Sequence, residues 1–561
     1  MHYIALATDY DGTIAHDGVV DAPTLAALER LRTSGRKLIL VTGRELADLL
    51  RVMPRIDVFD RVVAENGAVL YRPETKEERL LAPAPPQAFV EALREAEVDP
   101  LSVGRAIVAT WEPNESKVLA AIRDLGLELQ ITFNKGAVMV LPAGVTKESG
   151  LRAALEEIEI SPHNTIAVGD AENDFAFFNM CGMPVAVGNA LPMLKQAAVL
   201  VTERARGAGV EELIDRLLAT DLADLDAGNT RQHVTLATAL DGEDTLEIVP
   251  QRQSLLLAGS SGGGKTTLTT GLLEGLAAAG FQVLVIDPEG DYDDLDIVIS
   301  AGSAHEAPRI DKIVELLRKS GSGVAVNLLG VKLPDRPAFF ASLLPELLAL
   351  RARTGRPHFV VVDEAHHLLP HGYDPGAAAL PADLKGFLFV TVGPEALSTR
   401  VVHCVDRMMA VNIRLWRSAA AARRPACGRP WDRSVMPMTT PCAKASSPPW
   451  NASCWSGAGA DRRSKPAWPA SASLRAGTTP SASTPAWATA RRWHTKQPKQ
   501  QRRWPKPRHS HQSPPTLHQT GSTSVCRNLC EGPSSRPGVI HHRNWHRFTV
   551  GSGITIRRAV R

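Results

Sequence analysis

Asp9-Tyr10-Asp11-Gly12-Thr13 closes a short apolar run, Tyr3-Ile4-Ala5-Leu6-Ala7, near the start of the chain. A run of that length bounded by turn residues reads as a buried strand. The two-residue period of a strand turns Asp9 and Asp11 the same way. Carboxylates that close repel unless a cation or a shared proton sits between them. An Asp-Gly turn between two strands accounts for Asp11-Gly12 and leaves Asp9 unexplained. A carboxylate nucleophile working with Mg²⁺ would account for both.

Beyond this stretch, Asp21-Ala22-Pro23 with Leu25, Leu28 and Leu31 and then Gly35 predicts a helix with an N-cap, a first-turn proline and a C-terminal glycine. Lys37 to Val41 is a continuous apolar strand that ends in Thr42-Gly43-Arg44. Strand, helix, strand predicts a parallel sheet with its polar loops gathered at the strands' C-terminal ends, so Thr42 is expected near Asp9. Residues 61–71 read as two strands around Asn66-Gly67. Pro-rich sequence at 83–86 opens an insert (83–142) patterned helix, strand, helix, strand, strand. The chain then enters a helix at Lys147, where a cation opposes the helix dipole and hints at an anionic partner. Thr165 to Val168 is another buried strand, and it ends in Gly169-Asp170-Ala171-Glu172-Asn173-Asp174.

Four signals in this order, Asp-x-Asp-Gly-Thr, Thr-Gly-Arg, Lys and Gly-Asp-x-x-Asn-Asp, resemble the haloacid dehalogenase (HAD) phosphatase superfamily, and the insert resembles the cap of its Cof-like, sucrose-phosphatase-like branch (type IIB cap). The resemblance implies a Rossmann-like core (1–82 and 143–218) with a small α+β cap (83–142). It also implies a phosphatase for a small phosphorylated metabolite of the phosphoglycolate or sugar-phosphate type. Carried over, Asp9 is the nucleophile and Asp11 the general acid and base, while Thr42 and Lys147 hold the phosphoryl oxygens. Mg²⁺ would be held by Asp9, the Asp11 carbonyl and Asp170, with Asp174 nearby. Arg44 and Asn173 are expected at the substrate, and Asn134-Lys135-Gly136 of the cap would face it.

Residues 219–233 are polar and read as a linker. After a predicted hairpin (Val234–Leu240, Thr245–Val249) and the apolar strand Ser254–Ala258 comes Gly259-Ser-Ser-Gly262-Gly263-Gly264-Lys265-Thr266-Thr267. This is a Gly-x-x-x-x-Gly-Lys-Thr phosphate loop between a strand and a helix. Its glycines let backbone N–H groups wrap phosphates, Lys265 reaches the β and γ groups, and Thr266 serves Mg²⁺. Phe359 to Val362 runs into Asp363-Glu364-Ala365-His366, where Asp363 would serve the Mg²⁺ and Glu364 the attacking water. Phe387–Thr391 ends in a candidate γ-phosphate sensor, Thr391. With Asp287-Pro288-Glu289-Gly290-Asp291-Tyr292, these segments of a P-loop α/β domain (234–412) resemble HerA/FtsK-type ATPases. That implies ATP as a second ligand, an oligomeric state and possible action on nucleic acid.

The net charge of +3 hides an asymmetry. Residues 417–561 hold 25 Lys+Arg against 3 Asp+Glu (net +22), which leaves 38 against 57 (net −19) in 1–416. The tail, 413–561, is rich in Arg, Pro, Ser, Ala, His and Trp and shows no helix or strand period. A shifted reading frame of a GC-rich gene is the first reading of it, and a disordered basic arm that binds nucleic acid is the second. A metal site from Cys526, Cys530, His541, His542 and His546 has no ordinary zinc spacing. Only Cys181 and Cys404 of the 7 Cys precede the tail, which favours a reducing cytoplasm. No run approaches the ~20 apolar residues of a membrane helix. Three functions compete: a phosphatase fused to an ATPase; a nucleic-acid end-processing phosphatase and kinase, disfavoured because Asp-Glu activates water; and a HerA-like platform with a vestigial phosphatase, disfavoured by the four intact motifs.

Overall fold

The first apolar run becomes the strand Ala5–Thr8, fully buried and central in an eight-stranded sheet of the computed structural model. It lies parallel between Thr165–Gly169 on one side and Lys37–Val41 on the other, and Ala5 is level with both Thr165 and Lys37. That register brings Asp9, Thr42 and Asp170 to one sheet edge. Each residue follows its strand directly, and the strands are buried on both faces, as apolar parallel strands require. Asp21 caps the helix Ala22–Thr33 by accepting the Thr24 N–H at 2.9 Å, with Pro23 in the first turn. Arg61–Ala64 and Val69–Arg72 form the expected antiparallel pair.

The structure describes residues 1–239, 245–319, 321–374, 376 and 380–411, with the backbone of the strands Val435–Thr439, Trp545–Val550 and Ile554–Ala559. The expectations for the rest of the tail, including Cys526, Cys530, His541, His542 and the side chain of His546, lie outside the described residues, as does the connection 240–244 of the predicted hairpin.

The insert forms a four-stranded sheet backed by Gln87–Glu95 and Glu115–Asp124. It adds one two-residue strand, Ser102–Val103, to the predicted pattern. Phe89, Leu93, Val108, Val118 and Val140 form its small core. Its other face packs Met139 and Leu141 on Ala68 of the first half. Buried Glu65 fixes the junction, because its carboxylate accepts the N–H groups of Arg105 (2.9 Å), Ala106 (2.8 Å) and Ile107 (3.1 Å).

The second half is built on parallel strands in the order Arg407–Ala410, Leu255–Ala258, Phe387–Thr391, Phe359–Val362, Val283–Asp287, Gly323–Asn327, Val298–Ala301. The strand ending in Thr391 therefore separates the phosphate-loop strand from the strand ending in Asp363. Between 293 and 358 the structure adds two of these strands and two helices, Ile310–Arg318 and Arg336–Thr354.

The two halves share a buried polar seam. The Ser161 Oγ lies 2.6 Å from the His358 Nε2, and the Gln282 N–H donates to the His358 Nδ1 at 2.7 Å. His163 stacks on Phe281 with ring centroids 4.0 Å apart. The Asn164 Nδ2 donates to the Gln251 Oε1 at 2.9 Å, and Gln251 in turn donates to the Gly355 carbonyl. The stretch 219–233 is folded onto the first half: Asn229 and Gln232 are buried, donating to the carbonyls of Gly182 and His163. Among the described residues no helix is long and apolar enough to cross a membrane. Cys181 and Cys404 are both free and buried.

Candidate active site

Three buried carboxylates, Asp9, Asp170 and Asp174, present oxygens within 4.8 Å of one another. Asp170 ends its strand, and Asp174 turns back so that its Oδ2 accepts the N–H groups of Asp170 (2.8 Å) and Ala171 (3.0 Å). Lys147, 2% exposed, answers the charge. Its Nζ lies 2.5 Å from the Asp9 Oδ1 and 2.6 Å from the Asp174 Oδ1. Thr146 caps the helix Lys147–Glu157 in a reciprocal arrangement with Ser149, which fixes where Lys147 starts. Burial, with the charge of Asp174, pushes the Asp9 carboxyl up to about 7, against the pull of Lys147. Burial alone would lower Lys147, but Asp174 and Asp9 outweigh it and hold the ammonium charged.

Around this centre, the Thr13 Oγ1 donates to the Asp9 Oδ2 at 3.3 Å, and Asn189 donates to the Gly12 carbonyl (2.8 Å) and the Asp170 Oδ2 (3.2 Å). From the cap, the Lys135 Nζ reaches the Asp170 Oδ2 at 2.7 Å. Lys135 sits in the turn between the strands Leu129–Asn134 and Ala137–Pro142, with φ of 50°. This left-handed backbone is unusual for a lysine. Close hard oxygens, crossed by two ammonium groups, are the donor set that a divalent cation such as Mg²⁺ takes.

Two expected residues stand differently from the sequence-based picture. The Asp11 side chain does not join the carboxylate cluster. Arg44 grips it with its Nε (2.6 Å) and Nη2 (2.7 Å), and Arg44 is itself tied to Asp48. Arg44, expected at the substrate, is thus committed to Asp11. Thr42 is 1% exposed, and its Oγ1 accepts the Arg44 N–H at 3.1 Å. Asn173 donates to the Asn66 Oδ1, and its own Oδ1 is buried without a partner. Thr13 and Asn189 had no assigned role in the sequence. The Thr closing the acidic pair and the Asn after a strand-end glycine were the signals for them.

The phosphate loop keeps Gly262 (φ 69°) and Gly264 (φ 92°) in left-handed conformations that favour glycine. The Gly259 N–H donates to the Thr391 carbonyl and the Gly263 N–H to the Ser260 carbonyl. Lys265 is 6% exposed, with its Nζ 3.4 Å from the Glu364 Oε1, whereas Thr266 and Thr267 are exposed at the helix start. Asp363 accepts the Tyr292 hydroxyl at 2.9 Å and the Glu364 N–H at 2.8 Å. Burial raises Asp363 to about 6. Asp287 pins the 288–292 loop by accepting the N–H groups of Glu289, Gly290 and Tyr292.

The sequence profile of the haloacid dehalogenase-like hydrolases matches residues 6–108 and 107–214. That of the helicase HerA central domain matches residues 250–333. Phosphoglycolate phosphatase 2 of Saccharolobus solfataricus is 31% identical over 224 residues, which is 38% of this chain and 93% of that protein. The phosphoglycolate phosphatase of Methanothermobacter thermautotrophicus is 31% identical over 223 residues, 38% of this chain and 98% of that protein. A haloacid dehalogenase-like hydrolase of known structure from Bacteroides thetaiotaomicron is 21% identical and covers 38% of this chain and 99% of its own, with a TM-score of 0.35.

Proposed function

Through its first 214 residues the chain belongs to the haloacid dehalogenase-like hydrolases, and on that premise we propose that it hydrolyses a small phosphomonoester by way of an aspartyl phosphate on Asp9. The observation that carries the reading is the buried Lys147 bridging Asp9 and Asp174 beside Asp170. Asp9, Asp170 and the Asp11 carbonyl would hold a Mg²⁺, with Asp174 fixing Lys147. The ion supplies charge neutralisation for the transferring group. Asp9 attacks phosphorus as the ester oxygen leaves, and Asp11, released from Arg44, gives that oxygen a proton. Asp11 then takes a proton from the water that attacks the aspartyl phosphate, which frees phosphate and Asp9. Lys147 and Thr42 hold the phosphoryl oxygens. Both relatives are named for phosphoglycolate, so 2-phosphoglycolate is the first substrate to try, with sugar phosphates second.

The second half is read as an ATP-binding and ATP-hydrolysing module, because the loop at 259–266 is glycine-permissive and Lys265, Glu364 and Asp363 meet beside it. Action on nucleic acid, an oligomeric state and a cytoplasmic setting belong to this reading as expectations. The test is hydrolysis of a phosphomonoester panel by wild type and Asp9→Asn, with ATP turnover measured on the same samples and on Lys265→Ala. Phosphatase activity lost only in Asp9→Asn and ATP turnover lost only in Lys265→Ala is the expected pattern. A wild type inert toward the whole panel would sink the phosphatase reading.

A further inference from the structure

Glu364 has a feature the ATPase reading leaves unexplained. Its φ is 37° and ψ 49°, a left-handed conformation that a β-carbon disfavours and that tends to persist where function needs it. Its Oε2 is buried and makes no hydrogen bond of normal geometry. The nearest cation-capable group on that side is the His366 Nδ1, 3.3 Å away. The same nitrogen lies 3.3 Å from the Thr391 Oγ1. The Thr391 hydroxyl also has the Gly393 carbonyl 3.3 Å away, and with its proton given there it faces His366 as an acceptor. The carboxylate is acceptor-only as well. With two acceptors before it, the Nδ1 is the nitrogen to which the ring proton is assigned. Burial lowers His366 below its ordinary value, in keeping with a neutral ring.

We propose that His366 is the positioning residue for Glu364: its Nδ1–H, shared between the Glu364 carboxylate and Thr391, ties the water-activating carboxylate to the strand that runs beside the phosphate-loop strand. The inference rests on the ATPase reading above. The topology gives the tie its purpose. Phe387–Thr391 lies between Leu255–Ala258, which feeds the loop, and Phe359–Val362, which feeds Glu364. The Lys265 Nζ holds the other oxygen of Glu364 at 3.4 Å. Once Lys265 turns to bound phosphates, His366 and Thr391 are what remain to hold Glu364 in its strained conformation. Misplacing a catalytic group by about 1 Å costs about 10²-fold, so the tie matters for turnover and not for nucleotide affinity.

The experiment measures steady-state ATP turnover and, separately, equilibrium binding of a fluorescent ATP analogue by the full chain. The variants are His366→Ala, His366→Asn, Glu364→Gln and the double variant His366→Ala/Glu364→Gln, with thermal unfolding of each. The Asn amide offers an N–H where the Nδ1–H stood. Expected are a ~10- to 100-fold lower kcat for His366→Ala at unchanged analogue affinity, recovery in His366→Asn to within about fivefold of wild type, and a double variant no slower than Glu364→Gln alone. Equal turnover in His366→Ala and wild type would overturn the proposal while leaving the ATPase reading intact. So would a loss that tracks analogue affinity or melting temperature, or a double variant slower than Glu364→Gln by the full factor of the single change. Wild type that binds the analogue and never turns ATP over overturns both readings, and is distinguished by that signature.

Discussion

Asp9 and Asp363 occupy the same kind of position, one residue beyond a buried parallel strand, and each is 5% exposed. Burial pushes both carboxyls up, to about 7 and about 6. Their partners differ in kind. Asp9 meets a buried ammonium, Lys147, which a second buried carboxylate, Asp174, holds in place. Asp363 meets only neutral donors, the Tyr292 hydroxyl and the Glu364 N–H. The first centre thus carries its own countercharge, whereas at the second the phosphate-loop cation, Lys265, lies on Glu364. On the proposed functions, the first centre offsets a monoester's charge with a buried lysine beside its Mg²⁺, whereas the second would rely on the cation that arrives with the nucleotide.

The sharpest way to break this comparison is Asp9→Asn. Removing the proposed nucleophile should cost phosphomonoester hydrolysis ~10⁴-fold or more in kcat with ATP turnover unchanged. Residual activity within tenfold of wild type would mean that Asp9 is a structural carboxylate.

Next in size is Lys147→Ala. It strands Asp9 and Asp174 in the interior without a countercharge, and breaking a buried pair in this way costs about 3–5 kcal/mol. A double variant, Lys147→Ala/Asp174→Asn, should recover part of the loss in a denaturant titration. No loss in the single variant would show that the cluster is neutralised by some other means.

The seam between the halves gives a smaller and pH-dependent effect. Burial lowers His163 to about 4, against the opposing pull of its bonds to the carbonyls of Gly280 and Ala279, and burial likewise keeps His358 neutral well below its usual value. The charged and titratable neighbours around His358 are Arg356 and Arg351 from its own half and His2 and His163 from the other. For a histidine whose folded value is depressed, the unfolded chain binds the proton more readily, so stability is full above about 6.5 and falls as pH drops toward 4. For His163 the term reaches about 3 kcal/mol at its limit. The stability difference between wild type and His163→Phe, followed from pH 7.5 to 4.5, should shrink as the pH falls. A difference that stays constant would exclude His163 from the titration.

The sequence showed the strand-end chemistry because that information is local: Asp9 with Asp11, Gly169 to Asp174, and Gly259 to Thr266 each lie within eight residues. It also showed most buried strands, since runs such as Lys37–Val41 and Phe359–Val362 are apolar throughout. The pairing of Arg44 with Asp11 stayed hidden, because nothing at either position says that the arginine spends its fork on a carboxylate 33 residues away. The reach of Lys135 from cap to Asp170 depends on how the insert docks, which Glu65 decides through three backbone N–H groups. The seam was hidden for another reason. Ser161, His163, Asn164, Gln251 and His358 are polar and spread over nearly 200 residues, so no hydrophobic period marks them, and the stretch 219–233 reads as linker although Asn229 and Gln232 are buried.

The smallest effect separates the two centres most cleanly. Tyr292→Phe removes one hydroxyl from the Asp363 Oδ2 and leaves the ring packing intact. A hydrogen bond to a charged group contributes about 1.5–3 kcal/mol, and one to a neutral group about 1 kcal/mol. Asp363 titrates in the fold near 6, raised from the ordinary carboxylate value, so it is charged at pH 8 and protonated at pH 5. The Tyr292 hydroxyl favours the charged form, and its loss moves Asp363 further up. The variant should therefore lose about 2 kcal/mol at pH 8 and about half that at pH 5, in metal-free buffer. Added Mg²⁺ with ATP should narrow the pH 8 difference, because an incoming cation would take over the role of the donor. A loss independent of both pH and nucleotide would place Tyr292 in packing alone, and the contrast between a charge-balanced and a donor-balanced centre would fall with it.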